Sequence, residues 1–406
     1  MMRRKAFLIM TAVLMFLVWG CGNRIAGNEQ KDTVVKNETT ENTEASEQDA
    51  VEAESTNDSD EKPLKIAIVA GTSGVNDGSF NQDIYEGVLA YVEKCPGSSV
   101  TPILGDVEQT EKATRLVAEI AEKDYDVIVC CGYYFEGIGA TAQKHQEIKF
   151  ILVDAFLKDE EGNEVEMDNV YAMQFAEQES GFFAGMAAAL ETKTGKVAVI
   201  TGIAVPSNVN YQYGFECGVK YVNETEGKNV MVVEMPAFAG ADVTGAYVGG
   251  NYIESFADET TGRVLANTLI TRNCDILFAA AGGSGKGVFD AVKYADDVKV
   301  IGCDIDQYDD GVFGKENIVL TSALKVMHSN VEKQLLAIDE NTFKGDNVVL
   351  HADTDSIDYV SDLNRCQLSK ETIEKIDAAY ELVKSGEIVP AANFNGITPD
   401  DFTTKN

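Results

Sequence analysis

Short apolar runs alternate with amphipathic segments along the first half of the folded region. The runs are rich in β-branched residues, which predicts buried strands, and the segments between them carry apolar residues at a helical period. The predicted strands are 64–71, 99–104, 125–132, 148–155 and 169–175. The predicted helices are 83–94, 109–123 and 137–146. Continuous apolar strands separated by helices predict a parallel sheet covered on both faces.

The same alternation then repeats. The second set of predicted strands is 195–202, 228–237, 274–283, 298–304 and 317–324, and the second set of predicted helices is 181–191, 214–224, 260–271, 285–295, 326–339 and 370–386. This pattern predicts an α/β protein with two Rossmann-like, doubly wound parallel sheets joined by a hinge near residue 173. We expect lobe 1 to contain 63–173 plus about 324–346, and lobe 2 to contain 174–323 plus about 347–406. Ligands of open α/β sheets bind beyond the carboxyl ends of the strands.

The N-terminus has the pattern of an export signal. Arg3, Arg4 and Lys5 precede an uncharged apolar run, 6–20, whose ~15 residues are fewer than the roughly 20 that span a membrane. The run ends in LVWGC, which resembles the lipobox of bacterial lipoproteins. That resemblance implies removal of residues 1–20 and a diacylglyceryl anchor on Cys21, and an ordinary cleaved signal peptide is the alternative.

The composition of residues 21–62 predicts an acidic, disordered tether. The segment contains no aromatic residue and is rich in Glu, Asp, Ser, Thr and Asn, so it has too little apolar surface to offset its ordering entropy. A lipid-anchored cysteine followed by such a tether would place the folded body just outside a membrane, on its extracytoplasmic face.

The net charge of the chain excludes some classes of binding partner. The chain of 406 residues has 67 acidic and 33 basic side chains, a formal charge of −34. Such a balance argues against nucleic acid as a partner, because phosphate neutralisation needs an excess of Lys and Arg. Three distant histidines (His145, His328 and His351) predict no zinc site. Seven cysteines beyond Cys21, with no C-x-x-C pair, are interpreted as small core residues.

The loop after the first strand, 71–87, offers candidate ligand contacts. Asn76, Asp77 and Asn81 supply hydrogen-bonding groups, and Phe80 or Tyr85 supplies a flat face for stacking. The alternative is a structural one, since Asp and Asn are also favoured at helix N-caps.

A second glycine-rich segment, AAAGGSGKG at 279–287, invites comparison with phosphate-binding loops. Ala280 and Gly287 stand where that motif needs Gly and Ser or Thr, so we reject a nucleoside triphosphatase. Gly282 and Gly283 instead predict close approach of the backbone to a sugar or base. Three phenylalanines are candidates for the cleft wall, with burial in the core as the alternative: Phe175, Phe256 and Phe278.

The segment VNDGSFNQDIYEG (75–87) resembles the signature of the basic membrane protein family, the purine-nucleoside receptor lipoproteins. The resemblance continues through 169–202, 206–222, 251–263, 274–292, 301–307 and 319–325. It implies a type I periplasmic-binding-protein-like fold and a substrate-binding protein of an ABC transporter. The expected partners are a nucleoside, an ABC permease with its ATPase subunits, and the cell membrane through the lipid anchor. No enzymatic activity, cofactor, metal or nucleic acid is implied.

Residue by residue, the resemblance implies that Asn76 and Asp77 contact the base and that Phe80 or Tyr85 stacks on it. Asp304 would receive the ribose hydroxyls, because one carboxylate can accept two hydroxyl donors. Lys325 would lie beside the ribose and partly neutralise Asp304. The full predicted contact set is Asn76, Asp77, Phe80, Asn81, Tyr85, Phe175, Phe278, Gly282, Gly283, Asp304 and Lys325.

Three alternatives stay open at this point. The same fold could bind a flavin or a sugar-like signal, or the chain could be a sensory or surface lipoprotein that does not transport. A nucleoside-cleaving enzyme is disfavoured, because the carboxylates of 177–180 and 256–259 have no predicted acid–base partner and are interpreted as helix caps.

Overall fold

A computed structural model describes residues 62–404 of the chain. The predicted signal peptide, Cys21 and the tether up to residue 61 lie outside the described residues. The strands are β1 (Lys65–Ala70), β2 (Ser99–Leu104), β3 (Val127–Cys131), β4 (Lys149–Val153), β5 (Val170–Phe175), β6 (Lys196–Thr201), β7 (Met231–Val232), β8 (Gly240–Ala241), β9 (Tyr247–Gly249), β10 (Ile276–Ala280), β11 (Lys299–Asp304), β12 (Val312–Phe313), β13 (Glu316–Asn317), β14 (Val319–Lys325), β15 (Asp346–Leu350) and β16 (Ile357–Tyr359). The helices are α1 (Phe80–Lys94), α2 (Thr110–Ala121), α3 (Gly139–Lys144), α4 (Glu177–Glu191), α5 (Pro206–Glu226), α6 (Glu259–Thr271), α7 (Gly285–Lys293), α8 (Met327–Asp339) and α9 (Lys370–Lys384).

Two six-stranded sheets form the framework, as the alternation of strands and helices predicts. The first has the order β15-β5-β4-β3-β1-β2, and all its strands are parallel. The second has the order β16-β14-β11-β10-β6-β7 and is parallel except for β16. We call the parts built on these sheets the first and second lobes. Their central strands are apolar and buried because helices cover both faces.

The chain crosses between the two sheets three times, at 175–177, 325–327 and 350–357. The crossing segments are hydrogen-bonded to each other: Ala176 N donates to Leu350 O at 2.9 Å, and Val326 N donates to Ser356 O at 2.9 Å. Because β15 pairs with β5, the first sheet extends to Leu350, a few residues past the boundary expected near 346.

Several elements differ from their predicted bounds. Helix α1 begins at Phe80, three residues earlier than predicted, because Asp77 accepts hydrogen bonds from the backbone ahead of and within its first turn. Helix α5 is longer than predicted at both ends, and it ends where Gly227 adopts a left-handed conformation. The strand predicted over 228–237 is reduced to the two residues of β7.

Helices α4 and α5 pack unusually closely because four glycines lie where they meet: Gly181, Gly185, Gly214 and Gly218. A Cβ atom built on Gly214 or Gly218 would lie 2.1 Å from a backbone oxygen of α4, and one on Gly185 would lie 2.1 Å from a backbone oxygen of α5. Helix α4 is buried on all sides, which explains its continuous apolar sequence. This packing fixes the first turns of both helices, which reach the region between the lobes.

The burial of the four cysteines of the predicted strands confirms that they are core residues. Cys130, Cys131, Cys274 and Cys303 are buried, and none of them is in a disulfide. Over residues 62–404, none of the helices combines the length and the apolar character needed to cross a bilayer.

Candidate ligand-binding cleft

The carboxyl ends of the two sheets border a cleft that contains about 770 Å³ of empty space, counting the part that is open to solvent. From the first lobe the lining residues are Gly71, Thr72, Ser73, Asp77, Phe80, Asn81, Val107, Glu108, Cys131, Gly132, Tyr133, Tyr134 and Asp154. From the second lobe they are Val205, Ser207, Asn208, Tyr211, Phe256, Ala280, Gly282, Cys303, Asp304 and Lys325.

Asp304 ends strand β11 and connects the two lobes. Its side chain accepts hydrogen bonds from Ser79 Oγ in the first lobe at 2.5 Å and from Tyr211 Oη at 3.0 Å. Its backbone is left-handed, with φ of 69°, a strained conformation that is concentrated at functional sites. An ionised carboxylate has about four acceptor positions, so two remain for a ligand.

Asp154 occupies the corresponding place in the first lobe, directly after β4. Its backbone is also left-handed, with φ of 65°. One carboxylate oxygen accepts a hydrogen bond from Lys325, whereas Oδ1 is buried and has no partner within 3.5 Å among the described residues, although the Ser207 hydroxyl is close enough to lower the pKa of Asp154. A buried acceptor without a donor is costly, and a ligand hydroxyl or N–H would remove that cost.

Lys325 is 1% exposed and lies at the centre of a buried charge cluster. Its Nζ donates to Asp154 Oδ2 at 2.7 Å and to Glu177 Oε1 at 3.3 Å. Lys325 lines the cleft, and its direct partners are these two carboxylates and not Asp304. Its Nζ also lies 4.7 Å from the centre of the Phe80 ring, a cation–π contact.

The titration of this cluster is set by burial and mutual attraction. Burial raises the pKa of Asp154, and it raises the pKa of Glu177 to about 7. Burial by itself would lower the pKa of Lys325, but the charges of Asp154 and Glu177 outweigh burial and raise it. Lys325 therefore stays protonated at neutral pH, and its charge is already used within the protein.

Asp77 lines the cleft and also accepts hydrogen bonds from the backbone at the start of α1. Its carboxylate accepts hydrogen bonds from Ser79 N, Asn81 N and Gln82 N at 3.0–3.1 Å. Burial raises its pKa. Asp77 therefore caps helix α1, as the structural alternative predicts. Its side chain also lines the cleft, although the residue is only 3% exposed.

Aromatic rings from both lobes line the cleft. Phe80 comes from the first lobe and Phe256 from the second. The Phe256 ring packs on Gly202 and Gly282, and a Cβ atom on Gly202 would lie 2.3 Å from that ring. The glycines therefore make room for the ring, so both Gly282 and Phe256 belong to the cleft.

Of the eleven predicted contact residues, six line the cleft: Asp77, Phe80, Asn81, Gly282, Asp304 and Lys325. The other five do not line it: Asn76, Tyr85, Phe175, Phe278 and Gly283. Asn76 is exposed, and its carbonyl accepts a hydrogen bond from Lys286. Gly283 lies between Phe256 and the first-lobe loop: a Cβ atom added to it would lie 3.0 Å from Phe256 O and 3.3 Å from Ser73 Cβ.

Tyr85, Phe175 and Phe278 do not line the cleft because their rings pack against the core. Tyr85 lies five residues after Phe80 on α1, roughly 140° around the helix, and it packs on the core. Phe278 is within β10 and stacks on Phe215 beneath the helices. Phe175 is 2% exposed, and Lys325 Nζ lies 5.4 Å from its ring centre.

Several residues of the cleft and of the buried charge cluster beside it were not predicted. Asp154 lies at the carboxyl end of the predicted strand 148–155, so the rule that ligands bind beyond strand ends could have found it. Glu177 was interpreted as an unpaired cap, and the structure pairs it with Lys325. No sequence pattern pointed to Tyr211, because helix α5 was predicted to begin three residues after it.

Comparison with known proteins identifies similar sequences. A family model described as "ABC transporter substrate-binding protein PnrA-like" (Bmp) matches residues 65–244 and 239–391. The "ABC transporter nucleoside-binding protein BmpA" of Lactococcus lactis subsp. cremoris is 29% identical, over 71% of this chain and 78% of that protein. "Basic membrane protein A" of Borreliella burgdorferi is 26% identical, over 82% of this chain and 89% of that protein.

Solved structures confirm the bilobed fold of substrate-binding proteins. An ABC transporter solute-binding protein from Aeropyrum pernix K1 superposes with a TM-score of 0.68 at 21% identity, covering 83% of this chain and 96% of that one. A solute-binding protein from Conexibacter woesei gives a TM-score of 0.58 at 19% identity, covering 81% and 99%.

Proposed function

The chain belongs to the Bmp family of PnrA-like ABC transporter substrate-binding proteins, and on this premise we propose that it binds a nucleoside, specifically a purine nucleoside, between its two lobes. Proteins of this family act outside the cytoplasm, where they bind a small molecule and work with a permease and an ATPase. The name of the Lactococcus lactis relative, a nucleoside-binding protein, supports the choice of ligand.

The observation that carries this proposal is the combination in one cleft of phenyl rings from both lobes with carboxylates at strand ends. A base needs a flat apolar face, and stacking on an aromatic side chain contributes about 1–3 kcal/mol per base. Phe80 and Phe256 supply such faces. A ribose diol needs acceptors, and Asp304 and the unpartnered oxygen of Asp154 supply them.

Electrostatics favour a nucleoside over a nucleotide. Asp77, Glu108, Asp154 and Asp304 line the cleft, and Lys325 is the one cation among its described lining residues. The charge of Lys325 is taken by Asp154 and by Glu177 behind it. A phosphate group would enter a site of its own sign with no free cation to receive it, so we expect guanosine to bind and guanosine monophosphate to be rejected.

Isothermal titration calorimetry of the purified full chain tests this proposal. Guanosine, adenosine, uridine, riboflavin and a panel of sugars serve as ligands. We expect Asp304→Asn to weaken guanosine binding at least about tenfold, which is about 1.4 kcal/mol, because a hydroxyl acceptor loses its charge. Asp306→Asn is the matched control, because Asp306 lies two residues away and pairs with Arg365 instead of lining the cleft.

Two outcomes would contradict the proposal. If no nucleoside binds at millimolar concentration while riboflavin or a sugar does, the fold serves another ligand. If both variants bind guanosine as the wild type does, Asp304 has no role at the sugar.

The membrane anchor is a further part of the proposal. The signal pattern and Cys21 support a diacylglyceryl attachment on the extracytoplasmic face of the cell membrane. Mass spectrometry of the wild-type N-terminus should find the lipid on Cys21, and Cys21→Ala should remove it. A mature wild-type N-terminus without the lipid would show that Cys21 is not the anchor.

A further inference from the structure

Two buried carboxylates each bind a histidine together with backbone N–H groups next to it. The first is Asp83 on α1, in the first lobe. Its Oδ1 contacts His328 Nδ1 at 2.8 Å, and its Oδ2 accepts hydrogen bonds from Met327 N at 2.9 Å and from His328 N at 3.0 Å. Asp83 thus fixes the start of α8, where the chain has just crossed from β14.

The second carboxylate is Glu179 on α4. Its Oε1 contacts His351 Nδ1 at 2.8 Å, and its Oε2 accepts a hydrogen bond from Ala352 N at 2.8 Å. His351 directly follows β15, at the start of the crossing that leads to β16. Both sites therefore have the same construction, and each lies at a crossing between the lobes. We call them the Asp83 clamp and the Glu179 clamp.

Each clamp lies two residues from a charged group of the cleft cluster. Met327 follows Lys325 by two residues, so the Asp83 clamp holds the segment that carries the cleft lysine. Glu179 follows Glu177 by two residues in the first turn of α4. Lys325 and Glu177 are themselves 3.3 Å apart. The two clamps thus hold the backbone on both sides of one buried ion pair.

We propose that His328 and His351 are positioning residues for the ligand site, which act through Asp83 and Glu179 to hold the segments that carry Lys325 and Glu177. The geometry of the clamps is independent of the ligand. The predicted effect on affinity rests on the proposed nucleoside function.

The surroundings of both rings are acidic. His328 faces Asp83 and Glu86 of α1 and Glu332 of its own helix, and Glu332 is paired with Lys94. His351 faces Glu179 and Glu177 of α4 and Asp353 of its own turn. Its hydrogen bond to Glu179 raises the pKa of His351, and the bond to Asp83 raises that of His328. Both rings are roughly half exposed, so protons reach them from solvent.

The sign of the pH effect follows from these raised values. A histidine with a raised folded-state pKa contributes stability that is fully present below its ordinary pKa of about 6.5 and is lost as pH rises through the raised value. At higher pH the neutral imidazole keeps a hydrogen bond and loses the ion pair. The clamps therefore hold the crossing segments more tightly at acidic pH than at alkaline pH.

The affinity of the full chain for guanosine, measured between about pH 5.5 and about pH 8.5, tests this effect. The variant His328→Gln/His351→Gln keeps a hydrogen-bond donor at each clamp and removes the titration. We expect the variant to bind about two- to fivefold more weakly than wild type at the acidic end, the range for partly exposed ion pairs, and equally at the alkaline end.

His145→Gln is the matched control, because His145 also contacts carboxylates, Glu122 and Glu147, but lies away from the crossings. It should follow the wild-type curve at every pH. A variant-to-wild-type ratio that stays constant with pH, whether at one or above one, would overturn the positioning role in ligand binding.

A measurement without ligand separates this proposal from the proposed function. Amide hydrogen exchange at Met327 and Ala352, corrected for the intrinsic pH dependence of exchange, should show protection that decreases with rising pH in the wild type. The double variant should show protection that does not change with pH. If guanosine does not bind, this result still supports the clamps while the nucleoside function fails. If protection is independent of pH in the wild type, the clamps fail even if guanosine binds.

Discussion

Removing the charge of Lys325 should destabilise the protein strongly and in a pH-dependent way. Lys325 is 1% exposed, and its ammonium group compensates two buried carboxylates, Asp154 and Glu177. In Lys325→Met both carboxylates lose their cation in a site that water hardly reaches. Breaking a buried ion pair by removing one partner costs about 3–5 kcal/mol, a large part of the roughly 5–15 kcal/mol that stabilises a typical domain.

The pH dependence identifies the cause. Burial already raises the pKa of Asp154 and of Glu177, the latter to about 7. A carboxylate with a raised folded-state pKa destabilises the fold progressively as pH rises from its ordinary value of about 4 through the raised value. At about pH 5 the variant can protonate both groups, so we expect the loss to be smaller there than at about pH 8.

Urea denaturation followed by circular dichroism at both pH values measures the free energy of unfolding. Lys193→Met is the control, because Lys193 is an exposed lysine that also pairs with an aspartate, Asp297. It should change stability by less than about 1 kcal/mol, as exposed ion pairs do. If Lys325→Met is as stable as this control at about pH 8, or if its loss is the same at both pH values, the buried charge cluster does not have the energetics argued here.

Other substitutions test packing and stacking. Gly218→Ala should lower the free energy of unfolding by about 1–3 kcal/mol, because its Cβ atom would meet a backbone oxygen of α4 at 2.1 Å. Gly285→Ala, whose nearest atom would lie at 3.8 Å, should be nearly neutral, and equal losses in denaturation experiments would refute the close packing. Phe80→Ala and Phe256→Ala should each weaken guanosine binding about tenfold, within the about 1–3 kcal/mol of a stacking contact, whereas Tyr85→Ala should leave calorimetric affinity unchanged. Loss of affinity in the Tyr85 variant alone would place the base elsewhere.

The sequence by itself determined the class of fold and the ends of the strands. Apolar runs and helical periods are local properties, so they located the main strands of both sheets without knowledge of their neighbours. The rule that ligands of such sheets bind at the carboxyl ends of strands, together with the resemblance to the family, predicted Asp77, Asp304 and Lys325 as contacts of one ligand, and all three line the cleft. It also identified the family, which the comparison with known proteins confirms.

Tertiary structure decided which of these groups meet. Lys325 pairs with Asp154 across the lobes and with Glu177 at a crossing, and these partners are 171 and 148 residues away along the chain. Phe256 faces the cleft and Phe278 the core because one lies on a loop over glycines and the other within a covered strand. Such pairings depend on sheet order and on the path of the crossings. Local periodicity carries no information about distances through space, so only the folded chain could show them.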